Sequence, residues 1–229
     1  MNQTIIPSEQ QLIEFQQKLQ KDSDWILEQI DLLSLLSKYG EVKIVGAKAL
    51  GLMVAKDIDI SVVVPKIDLV IWQEIVSQLM VTKHVRKVTA VDEYNYDENN
   101  VYDLEKGKKY SLYIEMDSVL GPDQDKNNLW EIQIHLITKD KFDERITKNL
   151  ISKLNYTNRL TILRLKWWAN KINRNLLFES NGHFKIQSIW IYEAVMHQNT
   201  TNIRTFIQFL QNKISNEDRH FLSIIQTTD

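Results

Sequence analysis

Residues 44–64, with the sequence IVGAKALGLMVAKDIDISVVV, constrain the fold of this chain more than any other stretch. Apolar residues dominate both ends, and small residues, including Gly46 and Gly51, lie between them. This pattern predicts a strand, then a turn with a short helix, then a second strand. The uninterrupted run ISVVV at the end of the second strand predicts that this strand becomes buried.

The remaining pattern predicts an α+β protein in which a mixed β-sheet with flanking helices is followed by a C-terminal helical lobe. Helices are predicted to begin at Ser8 and at Asp22 or Ser23, and the run DLVIWQEIVSQLM predicts another. Further strands are predicted in VRKVTAVDEY, YSLYIEMDSV and LWEIQIHLIT, the last two antiparallel to each other. We therefore expect an α/β domain at 1–140 and a helical domain at 141–229.

Composition narrows the class of protein. The 229 residues carry a net charge of −2, so long nucleic acid is not the expected partner. There is no cysteine, which excludes disulfides and thiolate metal sites. The N-terminal sequence lacks the layout of a signal peptide, and no apolar run approaches the ~20 residues that span a bilayer. We expect a cytoplasmic protein that does not enter a membrane.

Asp57 and Asp59 stand at the head of the second strand of this motif. Their side chains share one face of the strand because strand side chains alternate. Two neighbouring carboxylates repel each other unless a positive charge lies between them. Mg²⁺ is the expected partner, since it is held by one or two carboxylates together with substrate phosphates. The alternative is that both aspartates form the solvent-facing end of an ordinary strand.

The turn before these aspartates has features of a phosphate-binding turn. Gly46 permits close approach of the backbone, and the amides that follow it can donate hydrogen bonds to a phosphate. Lys48 could add a positive charge there.

These residues together resemble the signature of the polymerase-beta-type nucleotidyltransferase superfamily, a Gly-Ser pair at a helix start followed by Asp-x-Asp on the next strand. Here it reads Gly46-Ala47, nine residues, then Asp57-Ile58-Asp59. The stretch is similar to the GrpB-type branch and to small antibiotic-modifying nucleotidyltransferases. The resemblance implies a nucleotidyltransferase fold, Mg²⁺ at the aspartates, and a nucleoside triphosphate such as ATP at Gly46, Ala47 and Lys48.

Ala47 departs from this signature because the family has serine at its position. The resemblance implies that the serine hydroxyl binds a nucleotide phosphate, a contact worth about 1 kcal/mol. Because this contact is lost, the chain could instead be a protein of the same fold that binds nucleotide without turnover.

A third carboxylate is expected from a neighbouring strand. Glu131 is preferred, because WEIQIH is similar to the Glu-Ile-Gln-Ile strand of (p)ppGpp synthetases. It would bind the metal or accept the proton of the attacking hydroxyl. Glu115 and Asp117 are the alternative candidates for the third carboxylate. A further alternative is that Glu131 belongs to an ordinary polar face of a half-exposed strand. His135 is expected to line the site, since a similar histidine occurs in GrpB-type and lincosamide-type sequences.

In the helical lobe, Lys166 is the basic residue expected to bind substrate near the triphosphate, followed by Arg159. This role comes from the resemblance; the alternative is a set of solvated helix charges. Trp167 and Trp168 could stack on a base, although paired tryptophans in a helix are more often core residues.

The function expected from the resemblance is Mg²⁺-dependent transfer of a nucleoside monophosphate from a triphosphate to a hydroxyl of a small-molecule acceptor. The alternative is a catalytically silent nucleotide-binding or regulatory protein, including a toxin–antitoxin component. The polar insertion at 92–109 could act as a lid or attract cationic acceptors.

Overall fold

The structure is a computed structural model that describes residues 6–92, 112–119, 129–179 and 185–214. At 91–92, 112–119, 174–175 and 177–179 only the backbone is described. Two compact units are present, Gln17–Ile151 and the combination of Met1–Gln16 with Ser152–Asp229. These units group residues that pack together and do not define domain boundaries. The predicted division into domains 1–140 and 141–229 therefore stays a prediction. Most of the insertion at 92–109 lies outside the described residues.

The first unit contains a five-stranded mixed sheet in the order β1-β2-β5-β4-β3. The neighbours β2 and β5 are parallel, and the other neighbouring pairs are antiparallel. The predicted mixed sheet and the predicted antiparallel pairing of β4 with β5 are therefore confirmed. The strands are β1 (Glu41–Val45), β2 (Asp57–Val64), β3 (Thr89–Asp92), β4 (Leu112–Val119) and β5 (Trp130–Thr138).

The described helices lie before, between and after the strands in the sequence. They are α1 (Glu9–Gln29), α2 (Leu32–Ser37), α3 (Gly46–Leu50), α4 (Leu69–Met80), α5 (Glu144–Lys153), α6 (Tyr156–Glu179), α7 (Ser188–His197) and α8 (Ile203–Lys213). None of the described helices is long and apolar enough to cross a membrane.

The predicted helix start at Asp22 or Ser23 is wrong, because α1 continues without a break to Gln29. The chain instead breaks at Asp31, which has φ 48° and ψ 36°. This left-handed conformation is incompatible with a continuing right-handed helix, and aspartate is one of the few residues other than glycine that adopt it. Ser8 does precede the first helix as predicted, and its Oγ accepts a hydrogen bond of 3.3 Å from the backbone N–H of Gln11.

The sheet core forms where β2 and β5 run side by side. Ile60 pairs with Ile134, and both are fully buried. Along β5 the buried apolar residues alternate with half-buried polar ones, as expected for a strand with one face in the core. At its far end β2 is buried on both faces, whereas its first residues carry the acidic side chains.

The second unit is a helical core. Trp168 is 1% exposed and lies edge-on to Phe206 at a ring separation of 6.0 Å. The side-chain amide of Asn173 bonds both the N–H and the C=O of Ile186, at 2.7 and 3.0 Å. Trp168 is therefore a core residue, the more common role for such a tryptophan.

Candidate active site

The acidic motif stands where the sequence predicts it, at the start of β2. Strand β2 begins at Asp57, and the side chains of Asp57 and Asp59 are half-buried while Ile58 between them is fully buried. The alternation of a strand therefore puts the two carboxylates together on the face opposite Ile58. Each also has an interaction within the protein.

Glu131 lies beside this pair because of the parallel register of β2 and β5. Asp57 is the register partner of Glu131, and Asp59 is that of Gln133. The N–H of Glu131 donates a 2.9 Å hydrogen bond to the carbonyl of Lys56, which locks this register. Neighbouring strands are ~4.8 Å apart, and register partners project from the same face of a sheet. The register thus juxtaposes the carboxylate-bearing residues Asp57 and Glu131.

The two alternative carboxylates lie on β4, across β5 from β2. The backbone register pairs Asp117 with Glu131 and Glu115 with Gln133. Only the backbone of β4 is described. Because β5 lies between β2 and β4, Glu131 is the candidate adjacent to the Asp57 strand, and Asp117 is one strand farther away.

Gln133 is a residue that sequence reasoning did not include in the site. Its side-chain Nε2 donates a hydrogen bond to Oε1 of Glu131, two residues earlier on the same strand. A neutral amide donor among carboxylates reduces their repulsion and fixes the orientation of the one it binds. The signal was present in the sequence, since alternation already puts Gln133 on the face of Glu131.

Gly46 and Asp59 are in direct contact. Gly46 has φ +61°, and a Cβ built on it would lie 1.9 Å from Oδ2 of Asp59 and 2.8 Å from its Cγ. No side chain fits at this position, so the glycine is required both by its conformation and by the neighbouring carboxylate. The contact brings the start of α3 onto the acidic face of β2, as the family signature implies.

The segment after Gly46 is a short helix whose end is fixed by a backbone hydrogen bond and by a left-handed glycine. Ala47 is 5% exposed, and its carbonyl accepts a 2.9 Å hydrogen bond from the N–H of Leu52. Gly51 ends α3 in the left-handed conformation, with φ +64°.

Lys48 occupies a position that the sequence did not indicate. Its side chain is 4% exposed, and Nζ lies 2.5 Å from Oδ1 of Asp24 and 2.7 Å from Oγ of Ser23, both on α1. The predicted phosphate contact of Lys48 stays a prediction, but the ammonium group is engaged with α1 in this structure.

His135 and Lys166 are the remaining predicted substrate-binding residues. His135 is half-buried and is the register partner of Ser61, one step farther along the polar face from Asp59. Lys166 is buried in the helical unit, where Nζ lies 3.4 Å from the hydroxyl of Tyr192 and 5.7 Å from the centre of its ring. Contact of either residue with a nucleotide stays a prediction.

Carboxylate oxygens are the candidate metal donors on the polar face shared by β2 and β5. Among the described residues, no group of three or more His, Cys, Asp or Glu side chains is arranged to hold a metal ion. The residues Asp57, Asp59 and Glu131 supply the carboxylate oxygens that Mg²⁺ prefers. The missing Cβ of Gly46 leaves room for the Asp59 carboxylate against the turn. The donor set fits Mg²⁺, and the assignment of these three residues as ligands stays a prediction.

Comparison with solved structures addresses the fold. The structure of the GLD-2/RNP-8 complex matches over 93% of this chain and 71% of that chain, with TM-score 0.50 and 14% identity. The non-canonical poly(A) polymerase complex GLD-2–GLD-3 matches over 93% and 63%, with TM-score 0.51 and 15% identity. The chain has the polymerase-beta-like nucleotidyltransferase fold. The predicted nucleotidyltransferase-type fold class is confirmed, and the predicted resemblance to that superfamily is confirmed at the level of the fold.

More distant matches to nucleotidyltransferase-fold structures include the Cid1 poly(U) polymerase bound to MgATP, with TM-score 0.43 and 15% identity. This chain covers 43% of the matched chain in the Cid1 structure and 63% of the matched chain in the GLD-2–GLD-3 complex. No protein-family model matches the sequence. A search of curated proteins also found no match.

Proposed function

We propose that this chain is a Mg²⁺-dependent nucleotidyltransferase that moves a nucleoside monophosphate from a triphosphate to an acceptor hydroxyl. The observation that carries the proposal is the proximity of Gly46 and of the Glu131 strand to the two aspartates. Asp57 is in register with Glu131 on the next strand, and Asp59 contacts Gly46 at the start of α3. An ordinary polar strand face would not require a glycine at a left-handed position against one of its carboxylates.

Asp57, Asp59 and Glu131 would hold the metal ion. A bound Mg²⁺ would compensate the charge of the triphosphate and help to align the acceptor oxygen with the phosphorus. Glu131 would also accept the proton of the attacking hydroxyl. Gln133 would hold the Glu131 carboxylate through its amide hydrogen bond.

The phosphates would be bound by the turn at Gly46 and Ala47 and by basic side chains. Backbone amides of this turn would donate hydrogen bonds to phosphate oxygens, which does not need the hydroxyl that Ala47 lacks. Lys166 would supply a positive charge, and His135 would line the site. A phosphoryl-group reaction of this type depends on positioning and charge compensation more than on covalent chemistry by the protein.

The acceptor in this proposal is a small molecule with a free hydroxyl. The net charge of −2 gives no overall attraction to a long polyanion. One fold neighbour is described as a poly(A) polymerase, so the 3′ end of an RNA is the acceptor to be compared with it.

A second candidate function is a nucleotide-binding protein of the same fold without turnover, such as a regulatory subunit or a toxin–antitoxin component. The specific observation in its favour is Ala47, which replaces the phosphate-binding serine of the signature. The same site would then bind NTP without releasing pyrophosphate.

The first experiment is a thermal-shift titration of the four NTPs with and without Mg²⁺. The proposal expects a Mg²⁺-dependent rise in Tm with at least one NTP, abolished by Asp57→Asn. Glu74→Gln is the matched control, because Glu74 is an exposed carboxylate on α4. Absence of any Mg²⁺-dependent shift in the parent protein would overturn both candidate functions.

The second experiment separates the two candidates. Release of pyrophosphate is measured with the NTP that binds, in the presence of a panel of hydroxyl-bearing small molecules or of a short RNA. Product in the first series supports the proposed acceptor, and product only in the second replaces it with RNA. NTP binding without pyrophosphate release in either series supports the silent protein.

A further inference from the structure

Lys48 is a buried charged residue close to the candidate active site. Its side chain is 4% exposed, whereas that of its ion-pair partner Asp24 is 70% exposed. A buried ammonium is therefore paired with a carboxylate that is largely in solvent. Such a group is costly to bury unless its charge is paired and hydrogen-bonded, and here it is both.

The contact between α3 and α1 consists of several bonds around Lys48. Nζ of Lys48 is within hydrogen-bond distance of Asp24 and Ser23, at 2.5 and 2.7 Å. The backbone carbonyl of Lys48 accepts a 2.8 Å hydrogen bond from Nε2 of Gln20. Ser23 is itself anchored, because its Oγ donates a 2.6 Å bond to the carbonyl of Gln20. One turn of α1 thus holds both the side chain and the main chain of Lys48.

Lys48 is two residues from Gly46, and Gly46 contacts the Asp59 carboxylate. A shift of α3 would therefore change the distance between the turn and Asp59. The Gly46 contact leaves no spare space, since even a methyl group would meet Asp59 Oδ2 at 1.9 Å. The position of the turn relative to the acidic face depends on what holds α3.

We propose that Lys48 is a positioning residue that fixes the Gly46–Ala47 turn against Asp59 by tying α3 to Ser23 and Asp24 of α1. It acts through the turn and does not itself bind phosphate. The expected effect on nucleotide binding rests on the proposed function. The structural part of the inference, the dependence of the turn on the Lys48–Asp24 pair, is independent of any ligand.

The two possible roles of Lys48 give opposite expectations for Asp24. If Lys48 positions the turn, loss of either partner loosens α3, and NTP binding weakens in both Lys48→Met and Asp24→Ala. If Lys48 is a phosphate ligand, Lys48→Met weakens binding. Asp24→Ala would then leave it unchanged or strengthen it, because the ammonium is released toward the phosphate.

The experiment measures NTP affinity in the presence of Mg²⁺ for the parent protein, Lys48→Met, Asp24→Ala and the double variant. We expect each single variant to weaken NTP binding by about tenfold, which corresponds to the loss of about one hydrogen bond from the turn to a charged phosphate. The NTP affinity of the double variant should be no lower than that of the single variant with the lower affinity, because the two residues act as one unit. Lys48→Arg, which keeps the charge, should retain more affinity than Lys48→Met.

A matched control comes from the same helix. Lys18 and Asp22 of α1 form an ion pair of the same length, 2.5 Å, but the Lys18 side chain is 61% exposed. Lys18→Met removes a lysine charge from α1 without touching α3, so NTP affinity should be unchanged.

Amide hydrogen exchange at residues 46–51, without nucleotide, tests the structural part. Faster exchange in Lys48→Met and in Asp24→Ala, but not in Lys18→Met, is expected. Unchanged exchange overturns the inference, as does an Asp24→Ala protein that binds NTP as well as the parent or better. A lower Tm with unchanged NTP affinity would make Lys48 a purely structural residue and would also overturn the inference.

If the parent protein binds no NTP while exchange still responds to loss of Lys48 or Asp24, the proposed function fails and the tie between α3 and α1 stands. Should Lys48→Met not fold, Asp24→Ala decides alone, since its carboxylate is largely exposed.

Discussion

Gly46 and Asp59 are in van der Waals contact, and the contact leaves no room for a side chain on Gly46. The two residues belong to different elements, the start of α3 and the start of β2. Their contact brings the start of a helix, where the first backbone amides have no partner within the helix, next to a carboxylate. In a nucleotidyltransferase these two features would face the phosphates and the metal ion, respectively.

Gly46→Ala tests this relationship. The new Cβ would need the Asp59 carboxylate to move, and the left-handed conformation would cost a further ~1–2 kcal/mol. We expect a lower free energy of unfolding together with loss of Mg²⁺-dependent NTP binding, measured by urea denaturation and by thermal shift.

Gly51→Ala is the control, because Gly51 has φ +64° at the other end of α3, so the same substitution introduces a comparable backbone strain there. If Gly46→Ala lowers NTP affinity no more than Gly51→Ala does, the contact with Asp59 has no functional role.

The hydrogen bond between Gln133 and Glu131 gives a second prediction. Gln133→Met keeps the length of the side chain but removes the donor, so the Glu131 carboxylate loses its fixed orientation. We expect about a tenfold lower rate of nucleotidyl transfer, comparable to the ~1.5 kcal/mol of a hydrogen bond to a charged group.

The same substitution in a Glu131→Gln background separates orientation from packing. If Gln133 acts through Glu131, then Gln133→Met has no further effect on the transfer rate or on NTP affinity once Glu131 is neutral. An equal loss in both backgrounds would show that Gln133 acts independently of Glu131.

Lys166 gives a prediction in which stability and binding change in opposite directions. Its ammonium is buried, and its one polar contact among the described residues is the hydroxyl of Tyr192 at 3.4 Å. Lys166→Met removes a poorly compensated charge from the helical core, so the free energy of unfolding should rise by about 1–4 kcal/mol. NTP affinity should fall, because a cation for the triphosphate is lost.

Lys171→Met is the matched control for Lys166. Lys171 lies on the same helix at a similar distance from an aromatic ring, 5.6 Å from Trp167, but it is exposed. Its replacement should change neither NTP affinity nor stability appreciably. A fall in both stability and binding for Lys166→Met would instead indicate that Lys166 is a structural residue.

The elements that form the acidic face were predictable because they depend on local periodicity. Strand β2 begins at Asp57 as the alternation of the sequence indicates, and β5 alternates polar Glu131 and Gln133 with buried apolar residues. The family signature then relates Gly46 to the aspartates, and the contact with Asp59 gives that relation its physical basis.

What the sequence did not reveal depends on contacts between distant residues or on local backbone conformation. Lys48 follows a glycine in a turn whose sequence predicts phosphate binding, but its ammonium bonds to Ser23 and Asp24 far earlier in the chain. The break between α1 and α2 results from the left-handed conformation of Asp31, whereas helix-capping patterns favoured a helix start at Asp22 or Ser23. Neither feature has a periodic signature in the sequence.

Asp143, at the start of α5, gives a prediction about acid pH. Its Oδ1 accepts hydrogen bonds from the backbone N–H and from Nε of Arg145, at 2.9 and 2.8 Å. The side-chain bond from Arg145 is the main cause that lowers the pKa of Asp143 below its ordinary value of 3.8, and the backbone bond adds to it. Because the folded-state pKa is the lower one, the unfolded chain binds the proton more tightly. The stabilisation is complete above pH ~4 and is lost as the pH falls through the folded-state pKa.

Asp143→Asn removes this dependence while keeping a side-chain oxygen that can cap the helix. We therefore expect the difference in free energy of unfolding between the parent protein and Asp143→Asn to be largest at neutral pH and to shrink below pH ~4. Urea denaturation between neutral pH and pH ~3 measures it, wherever both proteins still unfold cooperatively. A difference that stays constant over this range would mean that the carboxylate charge of Asp143 does not stabilise the start of α5.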